Sequence, residues 1–174
     1  HSLFHDDKYR YLFMTTHSPY VLAEMDQVNL VRIYNADKIV SSSVLYVVPD
    51  EFKKQRKMLN SGLAEAIFAD KVLLVEGPSE VVLFGKVLSE KNPFYEADGI
   101  YILSVGGFGF KPYQSILNAL KIYNVVKTDN DLRKPRNKET YSVLGFIRLN
   151  GLIGETILPE DPVNEKSVAA KREL

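Results

Sequence analysis

VLLVEGPSE at residues 72–80 and VVKTDND at residues 125–131 are two apolar, β-branched runs that each stop abruptly in carboxylates. Glu76 stands at the tip of the first run, with Glu80 one helical turn later. Asp129 and Asp131 stand at the tip of the second. Acids at the ends of buried strands are costly unless their charge is offset. A divalent cation held through oxygen ligands offsets it economically, which points to metal-assisted chemistry on phosphates.

Working outward, residues 70–149 alternate strand and helix. Strands are expected at 72–75, 100–105 and 125–128, and helices at 79–89, 113–122 and 141–149. Alternation of this kind predicts an α/β fold with a parallel sheet and right-handed crossovers. Ligands of open parallel sheets bind at the carboxyl ends of the strands, where Glu76, Gly106-Gly107 and Asp129 all fall. That shared edge makes three motifs one candidate site. Upstream, YLFMTT (11–16) reads as a buried strand. The runs 28–34 and 39–48 read as a hairpin turning at Asn35, Ala36, Asp37 and Lys38. Pro49 breaks that pattern, Asp50 can cap a helix over 51–59, and Asn60, Ser61 and Gly62 interrupt it before a second helix over 63–69.

Each motif has a plainer reading. Pro78 suits the first position of a helix and Glu80 its first turn, so this segment alone reads equally as a helix start or as metal ligands. Asp129-Asn130-Asp131 alone is a common turn. Combined with Glu76, Glu80 and the Gly-Gly strand end, it becomes a strong signal. Gly106 and Gly107 let backbone approach a metal or phosphate, and Gly109 reads as a turn residue. His17, in THSP, is either a core or loop histidine or a sensor of a γ-phosphate, and its place after an apolar strand favours the sensor. Arg133, Lys134, Arg136 and Lys138 follow the DxD closely. They suit a nucleic-acid backbone or a solvated loop equally well.

Composition bounds the rest. Lys+Arg and Asp+Glu both number 22 in 174 residues, so any basic surface must be local. No cysteine is present, which excludes disulfides and Cys-based zinc sites. No apolar run approaches the roughly 18 residues of a membrane span, and the first ten residues lack the apolar stretch of a signal peptide, so the chain reads as cytoplasmic with no membrane partner. The opening on His1 suggests a longer protein.

These motifs together resemble a Toprim domain, the metal-binding fold of topoisomerases, primases and some nucleases. Its pattern is a Glu after one strand, a Gly-rich end on the next and a DxD after a third, here Glu76, Gly106-Gly107 and Asp129 with Asp131. THSPYVL, residues 16–22, resembles the switch-histidine strand of ABC-type ATPases. The two together resemble the OLD family of ATP-dependent endonucleases, and within it the Gabija anti-phage branch. The resemblance covers nearly the whole chain. It implies the C-terminal part of an ABC-type ATPase domain over 1–50, a helical connector over 51–69 and a Toprim domain over 70–174, incomplete at its C-terminus. It implies Glu76, Asp129 and Asp131 as catalytic residues, and Glu76, Glu80, Asp129 and Asp131 as ligands of Mg²⁺ or Mn²⁺. His17 would sense nucleotide, while Lys127, Arg133, Lys134 and Arg136 would contact DNA. It further implies a homo-oligomer and, for Gabija, a UvrD-like helicase subunit. The chain departs from the family pattern in having no GxxxxGK[ST] and no Walker B acid pair before His17, so ATP would be held by parts of the protein outside it. The family's later acid and catalytic lysine are not matched either, since Lys166, Lys171 and Glu173 lie in a polar tail. Rival expectations are another Toprim activity, as in primases or topoisomerases, and a non-catalytic interaction module linked to an ATPase.

Overall fold

The computed structural model describes residues 13–24, 27–48, 50–106 and 109–164. Its centre is a three-stranded parallel sheet of β3 (Lys71–Val75), β4 (Ile100–Ser104) and β5 (Tyr123–Val126), in the order β4-β3-β5. The crossover helices are α3 (Pro78–Lys91) between β3 and β4, and α4 (Lys111–Ala119) between β4 and β5. The chain steps one way from β3 to β4 and the other way from β4 to β5. Right-handed crossovers therefore put α3 and α4 on opposite faces. The α4 face is the thick one: Leu59, Leu63, Leu74, Leu103, Tyr113, Leu117 and Leu120 form its core. Helix α3 packs on β3 and β4 but has no fully buried residue.

Before the sheet come α1 (Pro19–Ala23) and an antiparallel hairpin, β1 (Gln27–Ala36) with β2 (Lys38–Val47). The expected hairpin is present, and its turn is tight enough to place Asp37 at φ 64°, the left-handed region that a short Asp side chain tolerates. The inward face of the hairpin, Leu30, Tyr46 and their neighbours, joins the core of the sheet. Two polar side chains fasten it to the amino-terminal edge of that sheet. Arg32 donates to Ala69 O at 3.3 Å and pairs with Asp70 at 3.1 Å, and Ser42 donates to Leu120 O at 2.9 Å.

Three expectations are corrected. The strand over 11–16 is absent in its described part: residues 13–16 join no strand ladder, and Phe13 is exposed. Residues 11 and 12 lie outside the described residues. Asn60-Ser61-Gly62 does not break a helix. A 3₁₀ turn (Asp50–Gln55) leads into one helix, α2 (Arg56–Ala66), that runs through it. Tertiary contacts override the weak local propensity. Asn60 is buried, accepts a hydrogen bond from the Tyr46 hydroxyl and donates to Ala23 O at 3.1 Å. Gly62 sits so close to β4 that an added Cβ would lie 2.8 Å from Leu103 Cδ1. Finally, the last helix does not begin at Tyr141. Residues Thr140–Val143 form β7, which pairs with β6 (Leu132–Arg133) and β8 (Val163–Asn164), and α5 runs Leu144–Ile153.

Helix α5 is held by one buried amide. Asn150 donates to Leu158 O and Glu160 Oε1, both at 2.8 Å, and accepts from the Ile157 and Leu158 backbone N–H groups at 3.1 and 2.9 Å. Asn150→Ala removes all four contacts. Net losses of about 1 kcal/mol per bond, with partial replacement by water, predict a destabilisation of about 2–3 kcal/mol. Urea denaturation checks it, through a lower midpoint at unchanged slope.

Candidate functional site

Strand β3 is buried at Val72, Leu74 and Val75 and emerges at Glu76. Gly77 and Pro78 turn the chain at once into α3. Glu80 lies in the first turn of α3 and its Oε2 accepts the Gly77 backbone N–H at 2.7 Å. The helix-start reading of Glu80 therefore holds for that oxygen. Its other oxygen, Oε1, faces across the sheet edge to Lys127 Nζ at 2.8 Å.

The adjacent strand end supplies the rest. Lys127 N donates to Leu74 O at 2.9 Å, which prolongs the β3–β5 ladder and brings the DxD segment beside Glu76. Glu76 Oε1 accepts three hydrogen bonds: from the Thr128 hydroxyl, from Asp129 N at 3.1 Å and from Arg148 at 2.9 Å. Gly106, from the end of β4, donates its N–H to Glu76 O at 3.3 Å. Three strand ends thus meet at Glu76, on the edge where open parallel sheets bind ligands. Gly107 lies outside the described residues. Gly109, with φ 74° and open space around it, is a turn residue.

Two cations tie the four acids together. Lys127 bridges Glu80 and Asp129, and Arg148 bridges Glu76 and, at 3.6 Å, Asp131. Hydrogen bonds to Asp129 and then Glu80 push the Lys127 ammonium well above the usual lysine range, so it is charged at any physiological pH. Among the described residues, no three acids gather as a ready-made cation cage. Asp129 and Asp131 do not share one cation but divide between the two. All four acids offer hard oxygen donors, the set that suits Mg²⁺ or Mn²⁺. The ammonium and guanidinium groups between them show that the space accepts positive charge.

Arg148, Thr128 and Gly145 join the site without having been anticipated. Helix α5 begins against the DxD segment: Leu144 N donates to Asp131 O at 2.8 Å, and Gly145 leaves no room for a Cβ beside the backbone of Asp129 and Asn130. Arg148 follows one turn later. It is the single charge in the apolar helix LGFIRLNGLI, which was the available signal. Of the proposed DNA contacts, Lys127 is turned into the acids, whereas Arg133, Lys134 and Arg136 are exposed on the β6–β7 hairpin. Lys134 lies over the Tyr141 ring at 5.4 Å. His17 is exposed, apart from the acids, with its ring 6.3 Å from that of Phe68.

The sequence model of the overcoming lysogenization defect (OLD) protein-like TOPRIM domain matches residues 67–131, from the end of the connecting helix through the DxD. The chain carries a Toprim domain of the OLD family. Over 159 residues, 91% of this chain, it is 45% identical to Endonuclease GajA of Bacillus cereus (strain VD045). It spans 28% of that relative's length. The Toprim match ends on Asp131, so β6, β7 and α5, and with them Arg148, lie beyond it. Among the described residues, no helix of the chain is long and apolar enough to cross a membrane.

Proposed function

We propose that this chain is the metal-binding part of a DNA endonuclease that hydrolyses phosphodiester bonds with Mg²⁺ or Mn²⁺, in anti-phage defence. The observation that carries the reading is the meeting of Glu76, Glu80, Asp129 and Asp131 at one strand edge of an OLD-family Toprim domain. The name of the relative, an endonuclease, supports the reaction class.

In this reading the four acids would hold the cation, which would supply Lewis-acid stabilisation of the phosphoryl oxygens and a lowered pKa for attacking water. The chain's own contribution is placement. Thr128 and Asp129 N fix one oxygen of Glu76, and the Gly77 N–H fixes one oxygen of Glu80, so both carboxylates are oriented before a cation arrives. Arg133, Lys134 and Arg136, beside the acids in sequence and exposed, would take the DNA backbone. Nucleotide bound outside this chain would control access, with His17 on the path from it.

The test is cleavage of supercoiled plasmid by the full-length protein with Mg²⁺ and with EDTA. Nicking or linearisation that needs metal is expected, and cleavage undiminished in EDTA would remove the metal from the reading. One observation favours a second reading: Lys127 and Arg148 already pair the acids, as in a structural ion network. Absence of cleavage under both conditions would favour that non-catalytic interaction module.

A further inference from the structure

Lys127 and Arg148 pair the acids crosswise. Each cation joins one acid of the Glu76/Glu80 motif to one acid of the DxD: Lys127 joins Glu80 to Asp129, and Arg148 joins Glu76 to Asp131. A divalent cation bridging the two motifs would make the same connections. The atoms coincide as well. Glu80 Oε2 is committed to the helix start, so Oε1 is the oxygen left for a metal, and Lys127 holds it. Lys127 and Arg148 bring two single positive charges to the four carboxylates, and one divalent cation carries the same charge as the two that it would replace.

We propose that Lys127 and Arg148 are exchangeable internal counter-ions, holding the Toprim acids together without metal and leaving them when a divalent cation binds. The inference rests on the metal-site reading given above. Both side chains are placed to leave. The Lys127 side chain is 34% exposed and that of Arg148 41% exposed, so each reaches water without crossing protein. Arg32, whose side chain is 13% exposed in its pair with Asp70, is a fixed pair by contrast. Once released, both cations stand at the rim of a metal site whose substrate is a polyanion, where an ammonium and a guanidinium suit phosphate oxygens.

The prediction has a sign that a purely structural role does not share. A counter-ion that competes with metal weakens metal binding, whereas a residue that only orients a ligand strengthens it. Mn²⁺ alone is titrated into the full-length protein by calorimetry, for wild type, Lys127→Met, Arg148→Gln and Arg148→Lys. Removing one like charge ~5 Å from a divalent cation in a solvated site tightens Mn²⁺ binding by roughly tenfold or more, and this is expected for Lys127→Met and Arg148→Gln. Arg148→Lys keeps the charge and is expected to bind as wild type does. Unchanged or weaker binding in both neutral variants overturns the proposal. Should those variants not fold, acylation of the wild-type Lys127 amine, followed by mass spectrometry, reads the same event. Acylation that rises with Mn²⁺ supports release, and acylation that does not rise overturns it. If wild type binds no Mn²⁺, or binds it equally well after Asp129→Asn, the metal site itself fails. Tight wild-type binding with unmoved neutral variants overturns the exchange alone.

Discussion

Glu76→Gln in the full-length protein is expected to lower Mg²⁺-dependent DNA cleavage by more than about a hundredfold while leaving the fold intact. Changes to residues that only support a metal ligand cost roughly 10–100-fold, so a ligand itself costs more. Glutamine keeps one carbonyl oxygen where Oε1 stands, and that oxygen can still accept from Thr128, Asp129 N and Arg148. The strand ends therefore stay together, and what is lost is the negative charge that a metal needs. Glu76→Ala differs in kind, because it removes the acceptor of all three donors and frees the DxD segment. Plasmid nicking and a thermal melt, run on both variants, separate the effects. Wild-type cleavage by the glutamine variant would show that Glu76 is no ligand.

Gly145→Ala is expected to damage the site from behind. An alanine Cβ there would lie 2.6 Å from Asp129 O and 2.8 Å from Asn130 Cα. Both are backbone atoms, which cannot swing aside as a side-chain end does. Alanine in a helix gains up to about 1 kcal/mol over glycine, but forcing atoms into a packed contact costs about 1–3 kcal/mol. The clash wins. The DxD segment is pushed away, and Asp129 and Asp131 leave their places beside Glu76. Displacements near 1 Å at a reacting centre cost about a hundredfold in rate. A lower urea midpoint together with weaker Mn²⁺ binding is the expected result. A variant matching wild type in both would show that α5 does not brace the DxD.

The parallel sheet was legible because its signals are local. Val72, Leu74 and Val75 are buried, β-branched or apolar, and bounded by turn residues, and the acids mark where the strand leaves the core. The hairpin was legible for the same reason. The helix through Asn60 and Gly62 was not, because its cause is distant: Tyr46 accounts for the asparagine and Leu103 for the glycine. Tyr141 illustrates a third case. Residues 141–143 read as helix until their strand partners are known, and those partners, β6 and β8, are each two residues long. Within the site, the four acids stood out because charge at the end of an apolar run is conspicuous. Arg148 was hidden since its neighbours in sequence are apolar and its partners lie 72 and 17 positions away. Gly145 was hidden because glycine announces freedom more readily than contact.

The hairpin clasp has a mechanical side. Arg32 grips Asp70, the residue before β3, and Glu76 is the residue after it. Strand β3 is the central strand, hydrogen-bonded on both sides, so it resists stretching and bending far better than a loop does. It is a stiff span of five residues, roughly 17 Å long. The hairpin and the Glu76 carboxylate thus sit at opposite ends of the same rigid strand.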